Sequence, residues 1–148
     1  MMLYAGIRPH EVARLTWAQV DLQERAIYIL PRHSKTGGAR RVTIHRPLQR
    51  ILKSHKHAEN EKICPRNWLR HWRELRRAAG WDSSAPRWPQ DALPHTYASN
   101  PLSHFRSFAE LQVEIGHRDA TLLRTRYVDQ MAVVNAGAFW EYRGQLAA

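Results

Sequence analysis

The chain has little of what would point to several other classes of protein. Its 148 residues include one cysteine, Cys64, so a disulfide within the chain is excluded and a reducing compartment, the cytoplasm, is expected. No apolar run approaches the ~20 residues that a membrane helix needs, and the first residues lack the basic start and apolar stretch of a signal peptide. No paired cysteine spacing suggests zinc and no carboxylate pair suggests two-metal catalysis, so we expect no metal and no cofactor.

Acidic residues are also scarce. Lys and Arg number 23 against 13 Asp and Glu, which gives a formal net charge of +10. A basic excess of this size favours a polyanionic partner, usually nucleic acid, although a merely soluble basic protein remains the alternative. With 43% hydrophobic and 24% charged residues, the composition is that of one globular domain over residues 1–148.

The local patterns predict an α+β fold that is mainly α-helical. Pro9 and Glu11 are typical of a first helical turn, so Arg8 is expected at a helix N-terminus. Two short β-branched segments, 26–30 and 41–44, flank the turn signal Thr36-Gly37-Gly38 and predict a β-hairpin with Lys35 near its tip. Further helices are predicted from about residue 47, over 65–80, from about 93 towards 101, over 107–116 and over 120–126.

The predicted helix over 65–80 has two contrasting faces. Apolar residues fall on one face at helical spacing: Trp68, Leu69, Trp72, Leu75 and Ala79. The other faces carry Arg66, Arg70, Arg73, Arg76 and Arg77, with Glu74 as the one interleaved acid. Such a run is either a solvated surface or a set of phosphate contacts, and the sequence leaves both open.

Four scattered residues have the chemistry that nucleophilic attack on a phosphodiester needs: Arg8, Lys35, His117 and Tyr127. Arginine meets two phosphate oxygens at once and keeps its charge, and lysine acts as a point charge and proton donor. Histidine donates a hydrogen bond or moves a proton, and tyrosine is a workable covalent nucleophile. Taken singly, each has an ordinary alternative: a surface ion pair, a hairpin-tip charge, a helix-end cap and a half-buried core residue.

The ordered motifs resemble the catalytic domain of the tyrosine recombinases, the phage integrase family. That family's first arginine motif is similar to Gly6-Ile7-Arg8-Pro9-His10-Glu11, followed by Leu15-Thr16-Trp17 and Val20-Asp21. Ser34-Lys35-Thr36-Gly37, followed by Arg40-Arg41-Val42, is similar to its hairpin lysine motif. The family's second motif region, its second box, is similar to Leu93, to His95-Thr96-Tyr97-Ala98-Ser99 and to the segment from Gly116-His117 to Tyr127. The likeness therefore runs from about Leu3 to beyond Tyr127.

The resemblance implies a helical catalytic domain with a small antiparallel hairpin or three-stranded sheet, similar to type IB topoisomerases. It implies a site-specific recombinase or integrase in which Tyr127 forms a 3′-phosphotyrosine link, Arg8 clamps the phosphate, His117 supports it and Lys35 protonates the leaving oxygen. The implied partner is double-stranded DNA, with self-association as a tetramer through the apolar C-terminal segment around 133–140. From charge and motif together, the expected DNA contacts are Arg8, Lys35, Arg40, Arg66, Arg70, Arg73, Arg77 and His95.

The chain departs from the family pattern in two ways. The second box reads His-x-x-Arg-His in the family, and alignment on His95 places Pro94 at the arginine and Asp91 at the first histidine. The DNA-grasping domain that usually precedes the catalytic one is missing, so we expect a chain truncated at its N-terminus. The alternative function is therefore a catalytically impaired, DNA-binding remnant of an integrase, and a weaker one is a generic basic binding protein.

Overall fold

In the computed structural model of the protein, helices surround one small sheet. The structure describes residues 1–34, 37–55, 57–81, 88, 92–99, 108–116 and 136–141. The helices are α1 (Met2–Ala5), α2 (Pro9–Val12), α3 (Arg46–Lys53), α4 (Trp68–Ala78), α5 (Ala92–Ser99), α6 (Phe108–Ile115) and α7 (Ala136–Glu141). The strands are β1 (Val20–Asp21), β2 (Ala26–Ile29) and β3 (Arg40–Thr43), and single 3₁₀ turns cover Trp17–Gln19 and Pro31–His33.

The three strands form one antiparallel sheet in the order β1-β2-β3. Ala26 pairs with Thr43 and Ile29 with Arg40, so β2 and β3 are the two arms of the predicted hairpin. Along β2 the side chains of Ile27 and Ile29 share a buried face, while Tyr28 between them is exposed, as expected for a sheet with one face on the core. The prediction of a mainly helical α+β fold with a small antiparallel sheet is confirmed.

The core joins the sheet to the first three helices. Ile7, Leu15, Ile27, Val42 and Leu48 are among the buried residues of this cluster. A second, smaller cluster of Tyr97, Ala98, Leu111 and Ile115 joins α5 to α6. The helix that Pro9 begins is short: α2 ends at Val12 and a 3₁₀ turn follows at Trp17–Gln19, while Val12 and Leu15 are both buried.

Gly6 allows a very close approach between α1 and α5. It ends α1 with φ of +59°, a left-handed conformation that a residue with a side chain rarely adopts. A Cβ atom placed on Gly6 would lie 2.5 Å from Cδ1 of the buried Tyr97 ring. The motif that carries Arg8 therefore begins directly against the helix that carries Pro94.

The predicted apolar face of α4 is partly wrong. Trp68 and Trp72 do pack against the core, with ring centroids 5.6 Å apart, as expected for core rather than base-stacking groups. Leu69 and Leu75, in contrast, are 74% and 46% exposed. The face of α4 that turns inward contains residues 68, 72 and 76, spaced four apart, and the indole rings of Trp68 and Trp72 supply its apolar contact. Leu69 and Leu75 lie beside this face.

Pro94 lies in the first turn of α5, where an amide hydrogen has no partner within the helix. The proline is therefore compatible with the helix, which begins at Ala92, close to the predicted start. In α6, Gly116 stops the helix with φ of +68°, as predicted. The predicted helix over 120–126 lies outside the described residues.

The described end of the C-terminal segment packs on its own chain. The ring of Phe139 in α7 lies 4.9 Å from that of Tyr4, and Trp140 lies 4.7 Å from His45 and 6.2 Å from Tyr97. The described part of the segment therefore lies on the core of its own chain. Among the described residues, no helix is long and apolar enough to cross a membrane.

Candidate active site

Arg8 lies where the sequence places it, immediately before the first turn of α2. Its backbone is extended, with φ of −68° and ψ of 150°, and its amide donates to Oε2 of Glu11 at 3.1 Å. The side chain is 16% exposed, and Nη1 is 3.9 Å from Oε1 of Glu11. This buried Nη1 has no hydrogen-bond partner among the described residues, so the guanidinium retains donors for an outside acceptor.

Glu11 is a fully buried carboxylate that holds two arginines together. It accepts two hydrogen bonds from the fork of Arg40, from Nη1 at 2.9 Å and from Nη2 at 2.7 Å. Burial alone would raise the pKa of Glu11, but the hydrogen bonds and charge of Arg40, together with Arg8, lower it below its ordinary value. Glu11 is therefore ionised near neutral pH and acts as a fixed counter-charge beside Arg8.

Arg40 was expected at the DNA surface, and its geometry corrects that expectation. Its side chain is 5% exposed, and its third donor, Nε, bonds the carbonyl oxygen of Glu114 at 3.0 Å. The neighbouring Arg41 is the outward one of the pair, and its Nη2 bonds the carbonyl oxygen of Glu24 at 2.8 Å. Successive side chains of a strand point to opposite faces, so only one of two adjacent arginines faces outward.

A second buried carboxylate, Glu114, extends this hydrogen-bonded network. Its Oε1 accepts the amide of Thr43 at 2.7 Å, and its Oε2 accepts the hydroxyl of Tyr97 at 2.9 Å. The Tyr97 oxygen is also 3.3 Å from Nε2 of His45, at the start of α3. Burial, followed by the charge and hydrogen bond of Glu114, raises the pKa of Tyr97, so this phenol is a donor and not a nucleophile.

The network of Glu11, Arg40, Glu114 and Tyr97 was not anticipated from the sequence. It connects α2, β3, α6 and α5, the elements that carry or adjoin the expected catalytic motifs. The sequence patterns place Glu11 in a first helical turn and assign no role to Glu114. The available signal was the combination of two acids at otherwise buried helical positions with two adjacent arginines on a strand.

The arginines of α4 form an exposed basic surface. Arg66, Arg70, Arg73 and Arg77 are all exposed, and Arg70 is in a loose pair with Glu74 at 3.5 Å. The two side chains of that pair are 61% and 53% exposed, so solvent screens it strongly. This surface has the form required for phosphate contacts, and it is equally compatible with simple solvation.

Only some of the remaining expected site residues lie in the described part of the chain. His95 lies in α5 directly after Pro94, and both are half-buried. Lys35, His117 and Tyr127 lie outside the described residues, as does Asp91. In the part of the chain that the structure describes, no group of three or more His, Cys, Asp or Glu residues is placed to hold a metal ion.

Comparison with known proteins gives a consistent family. The sequence model of the phage integrase family matches residues 1–132. The fold is similar to the crystal structure of XerA recombinase, with a TM-score of 0.65, 21% identity, and coverage of 85% of this chain and 50% of that one. It is also similar to the Tn1549 transposon integrase in complex with a circular intermediate DNA, with a TM-score of 0.62, 19% identity, and coverage of 85% and 51%.

A third similar structure is the XerH site-specific recombinase bound to a palindromic difH substrate. Its TM-score is 0.56 at 16% identity, with 95% of this chain and 44% of that chain covered. This chain thus spans about half the length of the solved chains that it matches. Comparison with curated protein sequences gives no significant match. Because the family model covers most of the sequence, from its first residue to residue 132, this chain belongs to the phage integrase family.

Proposed function

We propose that the chain is the catalytic domain of a site-specific DNA recombinase or integrase that works through a 3′-phosphotyrosine intermediate. The observation that carries this proposal is the state of Arg8: its guanidinium is held beside an ionised, buried carboxylate and keeps a donor without a partner among the described residues. An arginine prepared in this way suits a phosphate, because a phosphodiester offers only acceptors to its fork.

The proposed reaction exchanges one phosphoester bond for another. The phenolic oxygen of Tyr127 bonds to phosphorus and gives up its proton to solvent, while the bond from phosphorus to the 5′-oxygen breaks. Lys35 supplies the proton that the 5′-oxygen takes up, and Arg8 and His117 stabilise the charge on the non-bridging oxygens. Attack by the 5′-hydroxyl of another strand reverses the step and rejoins the DNA without an external energy source.

A second candidate function is DNA binding by a catalytically impaired remnant, and Pro94 is the observation that favours it. Pro94 stands in the first turn of α5, directly before His95, and its ring nitrogen carries no hydrogen to donate. Loss of an arginine that clamps a transferring phosphoryl group costs about 10³–10⁵ in rate in related chemistry. The expected result is a chain that binds DNA with strong salt dependence and cleaves it very slowly.

A nicked suicide duplex separates the two functions, because cleavage near the nick releases a short strand and traps the covalent adduct. The catalytic proposal requires an adduct with the wild-type chain and none with Tyr127→Phe. Pro94→Arg is the companion variant, and its adduct should form much faster if Pro94 occupies the arginine position of the second box. DNA binding without any adduct, even in Pro94→Arg, would leave the remnant as the better description.

We propose further that copies of the chain assemble on DNA, in the cytoplasm, with the C-terminal segment exchanged between neighbours. The packing of Phe139 and Trp140 on their own chain supplies the contacts that an exchanged segment would reproduce in a neighbour. Sedimentation of the chain with and without duplex DNA tests this assembly. A monomer at all DNA ratios would contradict it.

A further inference from the structure

His33 contains a buried donor for which the described residues supply no acceptor. It ends the 3₁₀ turn that follows β2, two residues before Lys35, and it is 7% exposed. Arg32 Nε donates to His33 Nε2 at 3.2 Å. A guanidinium can only donate, so this hydrogen bond assigns the proton of the neutral ring to Nδ1. That nitrogen is buried and has no hydrogen-bond partner among the described residues, which is unfavourable for a donor until an acceptor arrives.

Three cations from separate parts of the chain lie close enough to this ring for their charges to act on it. Arg14 follows α2, and its Nη1 lies 3.5 Å from the carbonyl oxygen of Arg32. Lys62 is brought to the same place by an antiparallel bridge with Thr16, two residues after Arg14. After burial, the charges of Arg32, Arg14 and Lys62 are what lower the pKa of His33, so the ring is neutral near pH 7.

This basic cluster, consisting of Arg14, Arg32 and Lys62, has the composition of an anion site. All three side chains are exposed, so each retains donors for a ligand above His33. Like charges held together repel one another, and an anion among them removes the repulsion while accepting the Nδ1 hydrogen of His33. A phosphodiester fits this demand, because its two non-bridging oxygens are acceptors that carry a full negative charge.

We propose that Arg14, Arg32 and Lys62, with His33 beneath them, bind a single backbone phosphate of duplex DNA. The assignment of DNA as the source of that phosphate rests on the proposed function. None of these four residues was among the DNA contacts expected from the sequence. His33 stands two residues before Lys35 in the sequence, so a phosphate held here would be bound close along the chain to that lysine.

The test compares two variants of equal charge. Arg14→Gln/Lys62→Gln removes two cations of the basic cluster, and Arg50→Gln/Lys53→Gln removes two exposed cations of α3. Anisotropy of a labelled 20-base-pair duplex, titrated with each full-length chain across a salt series, gives affinity and salt slope. Loss of one phosphate contact should reduce the slope of log K against log salt by about 1 and weaken binding about tenfold at 0.1 M salt. The α3 variant should keep the wild-type slope.

A second measurement follows the His33 ring by NMR while inorganic phosphate is added near pH 7. Phosphate beside the ring should raise the pKa of His33 in the wild-type chain and leave it unchanged in Arg14→Gln/Lys62→Gln. Equal slope losses in both charge variants would mean that only net charge matters, and an unchanged slope in the cluster variant would mean that no phosphate binds there. Either result overturns the site and leaves the proposed function intact. If the wild-type chain binds no DNA while phosphate still shifts His33, the DNA assignment and the proposed function fail together and the site is one for free phosphate.

Discussion

Replacement of Glu11 by glutamine isolates the contribution of one buried charge pair. The change keeps the size of the side chain and removes the negative charge that faces Arg40, whose side chain is 5% exposed while that of Glu11 is 0% exposed. Removal of one partner of such a pair leaves an uncompensated buried cation, which costs roughly 3–5 kcal/mol. For a domain of this size we expect the midpoint of thermal unfolding to fall by about 10 °C.

The matched control is Glu74→Gln, which removes the same group from the exposed pair with Arg70. That pair contributes at most about 1 kcal/mol, so its loss should move the urea midpoint very little. The double variant Glu11→Leu/Arg40→Met should be less destabilised than Glu11→Gln, because it removes the stranded charge as well. A Glu11→Gln chain within about 1 kcal/mol of the wild type, which is the range of an exposed pair, would refute this account of the network.

Three further predictions follow from positions described above. Gly6→Ala should lower the free energy of unfolding, measured in urea, by about 1–3 kcal/mol, because it combines a positive φ with a Cβ only 2.5 Å from the Tyr97 ring. The control Gly38→Ala should be nearly neutral, because a Cβ on Gly38 meets no described atom within 4 Å. The lowered pKa of Glu11 stabilises the fold above the unfolded pKa of about 4.3, and this stabilisation is lost as pH falls through the lower, folded pKa. The urea midpoints of wild type and Glu11→Gln should therefore converge as the pH is lowered through that range. Burial raises the pKa of the Cys64 thiol to about 11, so a disulfide reagent at pH 8 should label it slowly in the native chain and rapidly in urea, and equal rates would contradict its burial.

Local patterns predicted the elements well and predicted the long-range contacts poorly. The strands on either side of Gly37 and the helix end at Gly116 follow from turn chemistry and β-propensity, which depend on neighbouring residues only. The exposure of Leu69 and the inward position of Arg40 depend on which partners the rest of the chain places opposite them. The spacing of apolar residues assigns a buried face to a helix or strand. It does not say which of two adjacent arginines meets a buried acid.

The candidate site was predicted in part for the same reason. The position of Arg8 before a helix follows from Pro9 and Glu11, and the structure has it there. Arg40, which pairs with Glu11, lies 29 residues away from it, and Thr43, whose amide bonds Glu114, lies 71 residues away from that acid. No spacing rule connects such distant positions, so the network that holds Arg8 appears only when the chain is folded.

The network also bears on which parts of the chain can fold first during synthesis. The amide of Thr43 and Nε of Arg40 both find their acceptors on Glu114, separated from them by 71 and 74 residues. Until that helix has left the ribosome, the edge strand of the sheet keeps a buried donor without an acceptor. We therefore expect β3 to gain these contacts only after α6 has emerged, and ribosome-bound chains that stop before α6 should remain sensitive to protease at β3.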